Sequence, residues 1–142
     1  MNVMKNYSDN HFDLAIVDPP YGMDKKSTIG GGYMLTGDRM LVQDTKIQNW
    51  DIAPDRSYFD ELFRVSKNQI IWGGNYFDLP PTRGIICWDK VQPFETFSRW
   101  EMAWTSFNKG IKSVAKLFKY DNRTGGKIHP TQKPIDLYKW LL

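Results

Sequence analysis

Four consecutive residues, Asp18-Pro19-Pro20-Tyr21, follow an apolar run that ends at Val17. The two prolines keep this backbone extended and stiff, because proline fixes φ and restricts the residue before it. We expect the Asp18 carboxylate and the Pro19 carbonyl to point outward as two fixed acceptors beside the Tyr21 ring. A planar aromatic amine suits this arrangement, since its N–H groups meet the acceptors while its face stacks on the ring. A plain turn uses the same residue types, so the tetrapeptide alone leaves both interpretations open.

The exocyclic amine of adenine or cytosine is a ligand of this kind. Its nitrogen lone pair is delocalised into the ring, which makes it a poor nucleophile. Acceptors for both N–H hydrogens draw the nitrogen toward a tetrahedral, nucleophilic form, and Asp18 stabilises the positive charge that develops. A paired base hides this nitrogen, so the nucleotide must be flipped out, and stacking on Tyr21 offsets part of the lost duplex stacking.

A second segment, Ile128-His129-Pro130-Thr131-Gln132-Lys133-Pro134, precedes a predicted helix. Its prolines predict a turn that leads into that helix, with Pro134 at the first helical position. His129 taken alone indicates a structural residue rather than a functional one. A structural turn and a functional segment are compatible here.

These stretches resemble motifs of one enzyme family. Residues 18–21 resemble the [DNS]PP[YFW] signature of S-adenosylmethionine-dependent amino-methyltransferases, and residues 129–134 resemble the HPTQKP segment of the β-group N4-cytosine/N6-adenine DNA methyltransferases. Three intermediate blocks, 71–77, 86–90 and 101–105, are also similar to the family. The resemblance implies catalytic roles for Asp18, Pro19, Pro20 and Tyr21. It also implies a cofactor pocket formed by Asp18, His129, Pro130, Thr131, Gln132, Lys133 and Pro134.

The same resemblance implies a reaction and its partners. Asp rather than Ser at position 18 favours N6 of adenine over N4 of cytosine as the methylated atom. Cys87 lies within a predicted strand and does not follow a proline, unlike the nucleophilic cysteine of cytosine-C5 enzymes. The implied reaction is direct transfer of a methyl group from S-adenosylmethionine to a flipped-out base of double-stranded DNA.

One family feature is not found in this sequence. The glycine-rich cofactor loop, D-x-[FH]-x-G-[ST]-G, is expected just downstream of residue 134, and the sequence ends at Leu142 before it. We therefore expect an incomplete catalytic domain over residues 1–142, such as a fragment, a truncated prophage gene product or half of a split enzyme. Weak or no cofactor binding, no turnover by this chain alone, and a complementing C-terminal half or a second copy as partner are expected. An inactive remnant that binds DNA or a partner, and a cytosine-N4 enzyme, are the alternatives.

Hydrophobic patterns predict the elements that position these residues. Adjacent apolar or β-branched residues predict strands at 12–17, Gln69–Trp72, 84–88 and 101–107, the first three buried on both faces. Helices are predicted at 54–65, where Phe59, Leu62 and Phe63 share a face, and at 134–142, with Leu137, Trp140 and Leu141 on one side. Residues 22–51 are predicted to form a flexible loop. The class is α/β: a partial Rossmann-like methyltransferase fold with a mostly parallel sheet and flanking helices.

Composition limits the other possibilities. The 142 residues are 41% apolar and 25% charged, which is typical of one globular domain. No run of 18 apolar residues and no signal-peptide core occur, so no membrane partner and a cytoplasmic location are predicted. The single cysteine, Cys87, excludes a multi-thiolate metal site, and no metal is predicted. The net charge of +3 permits a nucleic-acid partner without establishing one.

Overall fold

The computed structural model of the chain describes residues 3–22, 52–90, 98–107, 118–119 and 133–142. In chain order the elements are a 3-10 helix at Met4–Asn6, strand β1 at Ala15–Val17, helix α1 at Arg56–Val65, strand β2 at Gln69–Trp72, a second 3-10 helix at Gly74–Tyr76, strands β3 at Gly84–Asp89, β4 at Trp100–Thr105 and β5 at Phe118–Lys119, and helix α2 at Ile135–Leu141. Within these ranges, no helix combines the length and the apolar character that crossing a bilayer requires.

The five strands form one mixed sheet in the order β1-β2-β4-β3-β5. Strands β1 and β2 are parallel, as are β3 and β5, whereas β4 is antiparallel to both of its neighbours. The predicted α/β class is confirmed, since α1 connects the parallel strands β1 and β2. The sheet was predicted to be mostly parallel. Four of the five strands do run in the same direction, but two of the four pairings between neighbouring strands are antiparallel. This difference arises because β4 pairs with β3, the preceding strand in the chain, in the opposite direction.

Helix α1 begins directly after Asp55, whose carboxylate accepts a hydrogen bond from the backbone N–H of Tyr58 at 3.3 Å. The predicted start at residue 54 is therefore two residues early, because Asp55 caps the helix from an extended conformation. Phe63, predicted on the inner face, is half-buried and packs edge-on against Trp104. The fully buried residues of α1 are Phe59, Leu62 and Val65.

Strand β2 is buried along its whole length, and two consecutive residues of it face the two helices. Ile71 packs with Phe59 and Leu62 of α1, whereas Ile70 shares a cluster with Leu137 of α2. Because consecutive side chains of a strand point to opposite faces, the two helices cover opposite faces of the sheet. The prediction of flanking helices is confirmed, and β2 is buried on both faces as predicted. The same prediction is wrong for β1, whose three residues are half-buried, and for β3, in which Ile85 is 40% exposed.

Helix α2 begins at Ile135, and Pro134 is its N-cap with φ −61° and ψ 139°. The predicted placement of Pro134 at the first helical position is wrong by one residue. Its extended ψ keeps it outside the helix, while its carbonyl accepts the first hydrogen bond, from Leu137 N at 3.1 Å. Leu137 is fully buried and Leu141 packs against the same cluster. Trp140, predicted on this apolar side, is 38% exposed.

Three of the four predicted strands have different bounds in the structure, and one further strand was not predicted. Strand β3 ends at Asp89, one residue after its predicted end. Strand β1 excludes Phe12, which makes only an isolated parallel bridge to Ser66 and is 38% exposed. Strand β4 begins one residue before the predicted start and ends at Thr105, so Phe107 lies outside it. No sequence pattern predicts β5, because a strand of two residues is too short to show a hydrophobic period.

Arg64 of α1 attaches the N-terminal segment to the sheet and helix. Its guanidinium donates to the backbone carbonyls of Met4 at 3.1 Å and Tyr7 at 2.9 Å. It also pairs with the carboxylates of Asp9 at 2.8 Å and Glu61 at 2.9 Å. These contacts fix the start of the chain against α1, upstream of β1.

Candidate functional site

The ends of several strands meet at one edge of the sheet. Strands β1, β2 and β3 run in the same direction, so their carboxyl ends share an edge, and the antiparallel strand β4 begins there. Asp18, Gly73 and Lys90 follow β1, β2 and β3 directly, and Glu101 lies at the start of β4. Ligands in open α/β sheets bind beyond the carboxyl ends of strands, so this edge is the candidate site.

The predicted tetrapeptide lies at this edge directly after β1. Asp18 is exposed as a residue, Pro19 is buried, and Pro20 and Tyr21 are half-buried. The Tyr21 hydroxyl donates a hydrogen bond to Asp18 Oδ1 at 3.1 Å. The first and last residues of the tetrapeptide therefore hold each other, so the carboxylate and the ring act as one unit.

The Tyr21 ring lies in an aromatic group formed by the segment after β2. It stacks on Tyr76, with ring centroids 4.7 Å apart and an interplanar angle of 22°, and it meets Phe77 edge-on at 6.2 Å. Gly73 contacts the same ring: a Cβ built on this glycine would lie 2.1, 2.6 and 2.8 Å from three consecutive ring carbons. An edge-on approach would leave the two flanking carbons farther away, so Gly73 lies against the face of the ring.

Gly73 also has a backbone conformation that favours glycine. Its φ of 66° lies in the left-handed region, where it acts as the N-cap of the second 3-10 helix. A side chain here would be strained by the backbone and would overlap Tyr21. The close approach and the turn both depend on glycine at this position.

The Tyr21 hydroxyl stays protonated at physiological pH. Burial raises its pKa above the ordinary value for tyrosine, and the negative charges of Asp18 and Glu101 raise it further. A protonated phenol can donate to the Asp18 carboxylate, as the 3.1 Å hydrogen bond requires. The hydrogen bond and the protonation state therefore support each other.

Lys133 links the second motif to the first. Its ammonium lies 2.6 Å from Asp18 Oδ2, although the two residues are 115 positions apart in the sequence. It also lies 3.1 Å from Glu101 Oε2 and 5.1 Å from the ring centre of Trp72. The Lys133 side chain is 4% exposed, which is unusual for lysine and requires paired charges. Two carboxylates on different elements supply that pairing.

Glu101 continues the alternation of charges along the edge. Its Oε1 pairs with Lys90 at 2.5 Å, and the Lys90 ammonium lies 5.6 Å from the ring centre of Trp88. Burial opposes ionisation of Glu101, but Lys133 and Lys90 together hold its pKa below the ordinary value. The edge thus carries the sequence Asp18, Lys133, Glu101, Lys90, with charges that alternate in sign.

The two tryptophans beneath the ammonium groups contribute their ring faces rather than their N–H groups. Trp72 and Trp88 are buried, and neither indole N–H has a hydrogen-bond partner in the described part of the chain. Their rings meet edge-on at 6.4 Å. Cation–π attraction to Lys133 and Lys90 stabilises ammonium groups that are largely removed from water.

Not every predicted site residue falls within the described ranges. Pro134 is buried as the N-cap of α2, beside Lys133. The predicted loop at 22–51 lies almost entirely outside the described residues. Four predicted cofactor residues also lie outside them: His129, Pro130, Thr131 and Gln132.

Several site residues have no role assigned by the sequence analysis. Gly73, Tyr76, Lys90 and Glu101 all occur in the intermediate blocks that resemble the family. Their common signal is their position, since each lies within a few residues of the end or start of a predicted strand at the same edge. Such positions point to ligand-binding residues in an α/β sheet.

The described ranges contain neither a cluster of metal-binding residues nor an activated thiol. They contain no group of three or more His, Cys, Asp or Glu residues that could hold a metal. Cys87 lies in β3, half-buried, and burial raises the pKa of its thiol. A thiol with a raised pKa is a weak nucleophile at neutral pH. The chemistry of this edge is therefore that of carboxylates, ammonium groups and aromatic rings.

Comparison of the chain with protein-family models, with curated proteins and with solved structures gives no match. The indications of function are therefore the residues and geometry of the carboxyl edge and the resemblance of the two motifs.

Proposed function

We propose that the chain contains the base-binding part of an S-adenosylmethionine-dependent DNA methyltransferase that acts on N6 of adenine. The observation that carries this proposal is the 2.6 Å contact between Lys133 and Asp18. It joins the two segments that resemble family motifs, at the carboxyl end of a parallel strand. Two unrelated turns are not expected to meet at a single carboxylate in that location.

The proposed fold is a partial Rossmann-like methyltransferase domain. The parallel β1-α1-β2 unit, helices on both faces and charged residues at the carboxyl edge support this proposal. Strand β1 lies at one end of the described sheet, which leaves its outer edge for a strand of a complementing segment or of a second copy.

The chemistry assigns one task to each residue of the tetrapeptide. Asp18 accepts an N–H hydrogen of the target amine and stabilises the positive charge on the nitrogen as its bond to the methyl group forms. The Pro19 carbonyl is the proposed second acceptor, and Pro20 keeps the backbone stiff. Tyr21 is the proposed stacking residue for the flipped base. Because Tyr76 stacks on Tyr21 and Gly73 contacts its ring, the base is proposed to displace the Tyr76 ring, which is 52% exposed.

Asp18 and residues 129–134 are the proposed contacts for S-adenosylmethionine. The donor set suits the group in part: the Asp18 side chain is 24% exposed and opposite in charge to a sulfonium. The Lys133 ammonium already pairs with two carboxylates, so Lys133 and Pro134 would line the proposed cofactor site rather than make polar contacts to the ligand. When bound, the cofactor supplies the electrophilic methyl group, and the chain supplies alignment.

A methyl-transfer assay tests the proposal. Labelled S-adenosylmethionine and unmethylated double-stranded DNA are incubated with the chain and with a version extended past Leu142 through a glycine-rich cofactor loop. The extended form is expected to label the DNA, and the Asp18→Ala variant of it is expected to lose the activity. Asp13→Ala is the matched control, because Asp13 lies before β1, its side chain is 88% exposed, and its carboxylate pairs with the exposed Lys67.

The outcomes separate the alternatives. Equal labelling by the native form and the Asp18→Ala variant would refute the site assignment. Chromatography of the labelled nucleosides distinguishes methylation of adenine N6 from methylation of cytosine N4. Failure of the extended form to label any DNA would favour a remnant that only binds DNA or a partner.

A further inference from the structure

The Lys133 ammonium contacts three groups of this chain. Its two carboxylate contacts, to Asp18 at 2.6 Å and Glu101 at 3.1 Å, come from the segment after β1 and from β4. The face of Trp72 lies 5.1 Å away on another side. With only 4% of its side chain exposed, Lys133 cannot turn out into solvent, so the ammonium is a fixed point at the carboxyl edge.

This fixed point restrains the Asp18 carboxylate. Lys133 binds Oδ2 while the Tyr21 hydroxyl binds Oδ1, so both oxygens are tied and the plane of the carboxylate is set. Each carboxylate oxygen has two acceptor positions, and each of these contacts uses one of them. The Asp18 carboxylate can therefore still accept a hydrogen bond from an N–H group of a ligand, and its orientation is already fixed.

Glu101 keeps Lys133 from cancelling the charge of Asp18. An ammonium paired with Asp18 alone would offset its negative charge and weaken its attraction for an electron-poor amine. Glu101 Oε2 lies 3.1 Å from the same ammonium, so Lys133 is not paired with Asp18 alone, while Lys90 pairs with the other oxygen of Glu101 at 2.5 Å. The alternating row orients Asp18 and offsets only part of its negative charge.

We infer that Lys133, assisted by Glu101, is a positioning residue that aims the Asp18 carboxylate at the exocyclic amine of the base. The inference rests on the proposed function. It predicts that Lys133 affects the part of the binding energy that depends on the amine, although Lys133 itself does not touch the base. A purely structural role, in which Lys133 only fastens α2 to the sheet, predicts no such selectivity.

The test compares two nucleosides that differ only in the amine. Dissociation constants of adenosine and of purine riboside, which has hydrogen in place of the amino group, are measured by NMR titration of the labelled chain. The ratio of the two constants is the amine preference. For the native chain it is expected to be about tenfold, the size of one hydrogen bond to a charged group. Asp18→Ala is expected to abolish it.

Variants of Lys133 and matched controls then isolate its role. Lys133→Met keeps a side chain of similar length but removes the ammonium, and it is expected to reduce the amine preference to about twofold or less. Lys133→Arg can still pair with two carboxylates and is expected to restore most of the preference. Lys67→Met removes an exposed ion-paired lysine elsewhere, and Leu137→Val loosens the packing of α2. Both controls are expected to keep the native preference. Circular dichroism and the unfolding midpoint establish that each variant is folded.

Each result supports or overturns the inference. A native preference that is lost in Asp18→Ala but retained in Lys133→Met overturns the positioning role and leaves the proposed function standing. No preference in the native chain overturns both. Should Lys133→Met fail to fold, Glu101→Gln takes its place, since it keeps Lys133 but removes the second carboxylate. It is expected to lower the preference about threefold, and an unchanged preference would then overturn the inference.

Discussion

Gly73→Ala is expected to destabilise the chain because the new methyl group would occupy the space of the Tyr21 ring. At φ 66° the left-handed backbone costs alanine about 1–2 kcal/mol. The Cβ would lie 2.1 Å from the nearest ring carbon, so the ring must move, at a cost of about 1–3 kcal/mol for overpacking. Together these terms predict a loss of about 2–5 kcal/mol in the free energy of unfolding.

A double-mutant cycle separates the two terms. In a Tyr21→Ala background the ring is absent, so Gly73→Ala should cost only the backbone term of about 1–2 kcal/mol. Urea unfolding of the native chain, both single variants and the double variant gives the coupling energy. Asn75→Ala, an exposed substitution in the same turn, is the control and should change stability by less than about 0.5 kcal/mol. Equal costs of Gly73→Ala in both backgrounds would refute the contact with the Tyr21 ring.

Three further predictions concern stability. Glu101→Gln should lower the free energy of unfolding by about 1.5–3 kcal/mol above about pH 5. Because the folded pKa of Glu101 lies below its ordinary 4.5, this stabilisation should disappear as the pH falls through the folded pKa. Urea unfolding of both proteins across acid pH measures the difference, and a difference that persists at low pH would contradict the prediction. Arg64→Ala should lower the thermal midpoint more than Arg56→Ala does, since only Arg64 donates to backbone carbonyls of the N-terminal segment, and equal midpoints would contradict that role. Leu137→Ala should lower the free energy of unfolding, measured in urea, by about 2–5 kcal/mol. Ile135→Ala, at a position that is 68% exposed, should change it little. Similar losses for the two variants would show that α2 does not pack as described.

Local pattern correctly predicted β2, the strand whose four residues are all buried. Strand β2 has the predicted bounds because all four of its residues are buried, and the side-chain amide of Gln69, the polar residue at its start, donates hydrogen bonds to Ser66. The unit β1-α1-β2 follows from the alternation of a strand, an amphipathic helix and a strand. Strand β1 is shorter than predicted because Phe12, although apolar, lies outside the ladder and packs against neighbouring rings of the N-terminal segment.

The candidate site was predictable only in part. Residues 18–21 are recognisable because proline stiffness and the acid-aromatic spacing are local properties. The burial of Lys133 is not, since lysine is ordinarily exposed and nothing near it in the sequence supplies a counter-charge. Asp18 and Glu101, which make that burial tolerable, come from positions that only the sheet topology brings together. Tyr76 and Gly73 were missed for the same reason, because their partner Tyr21 lies on another strand end.

The distance along the sequence between Asp18 and Lys133 also has a consequence for the order of folding. Strands β1 and β2 and helix α1 are synthesised first, but the site needs a residue made 115 positions after its carboxylate. At ordinary rates of translation this interval lasts roughly 6–23 s. During that time the nascent chain has Asp18 and Tyr21 without the ammonium that orients them. The assembled edge is therefore a late product of folding, formed only when α2 docks and closes a long-range contact.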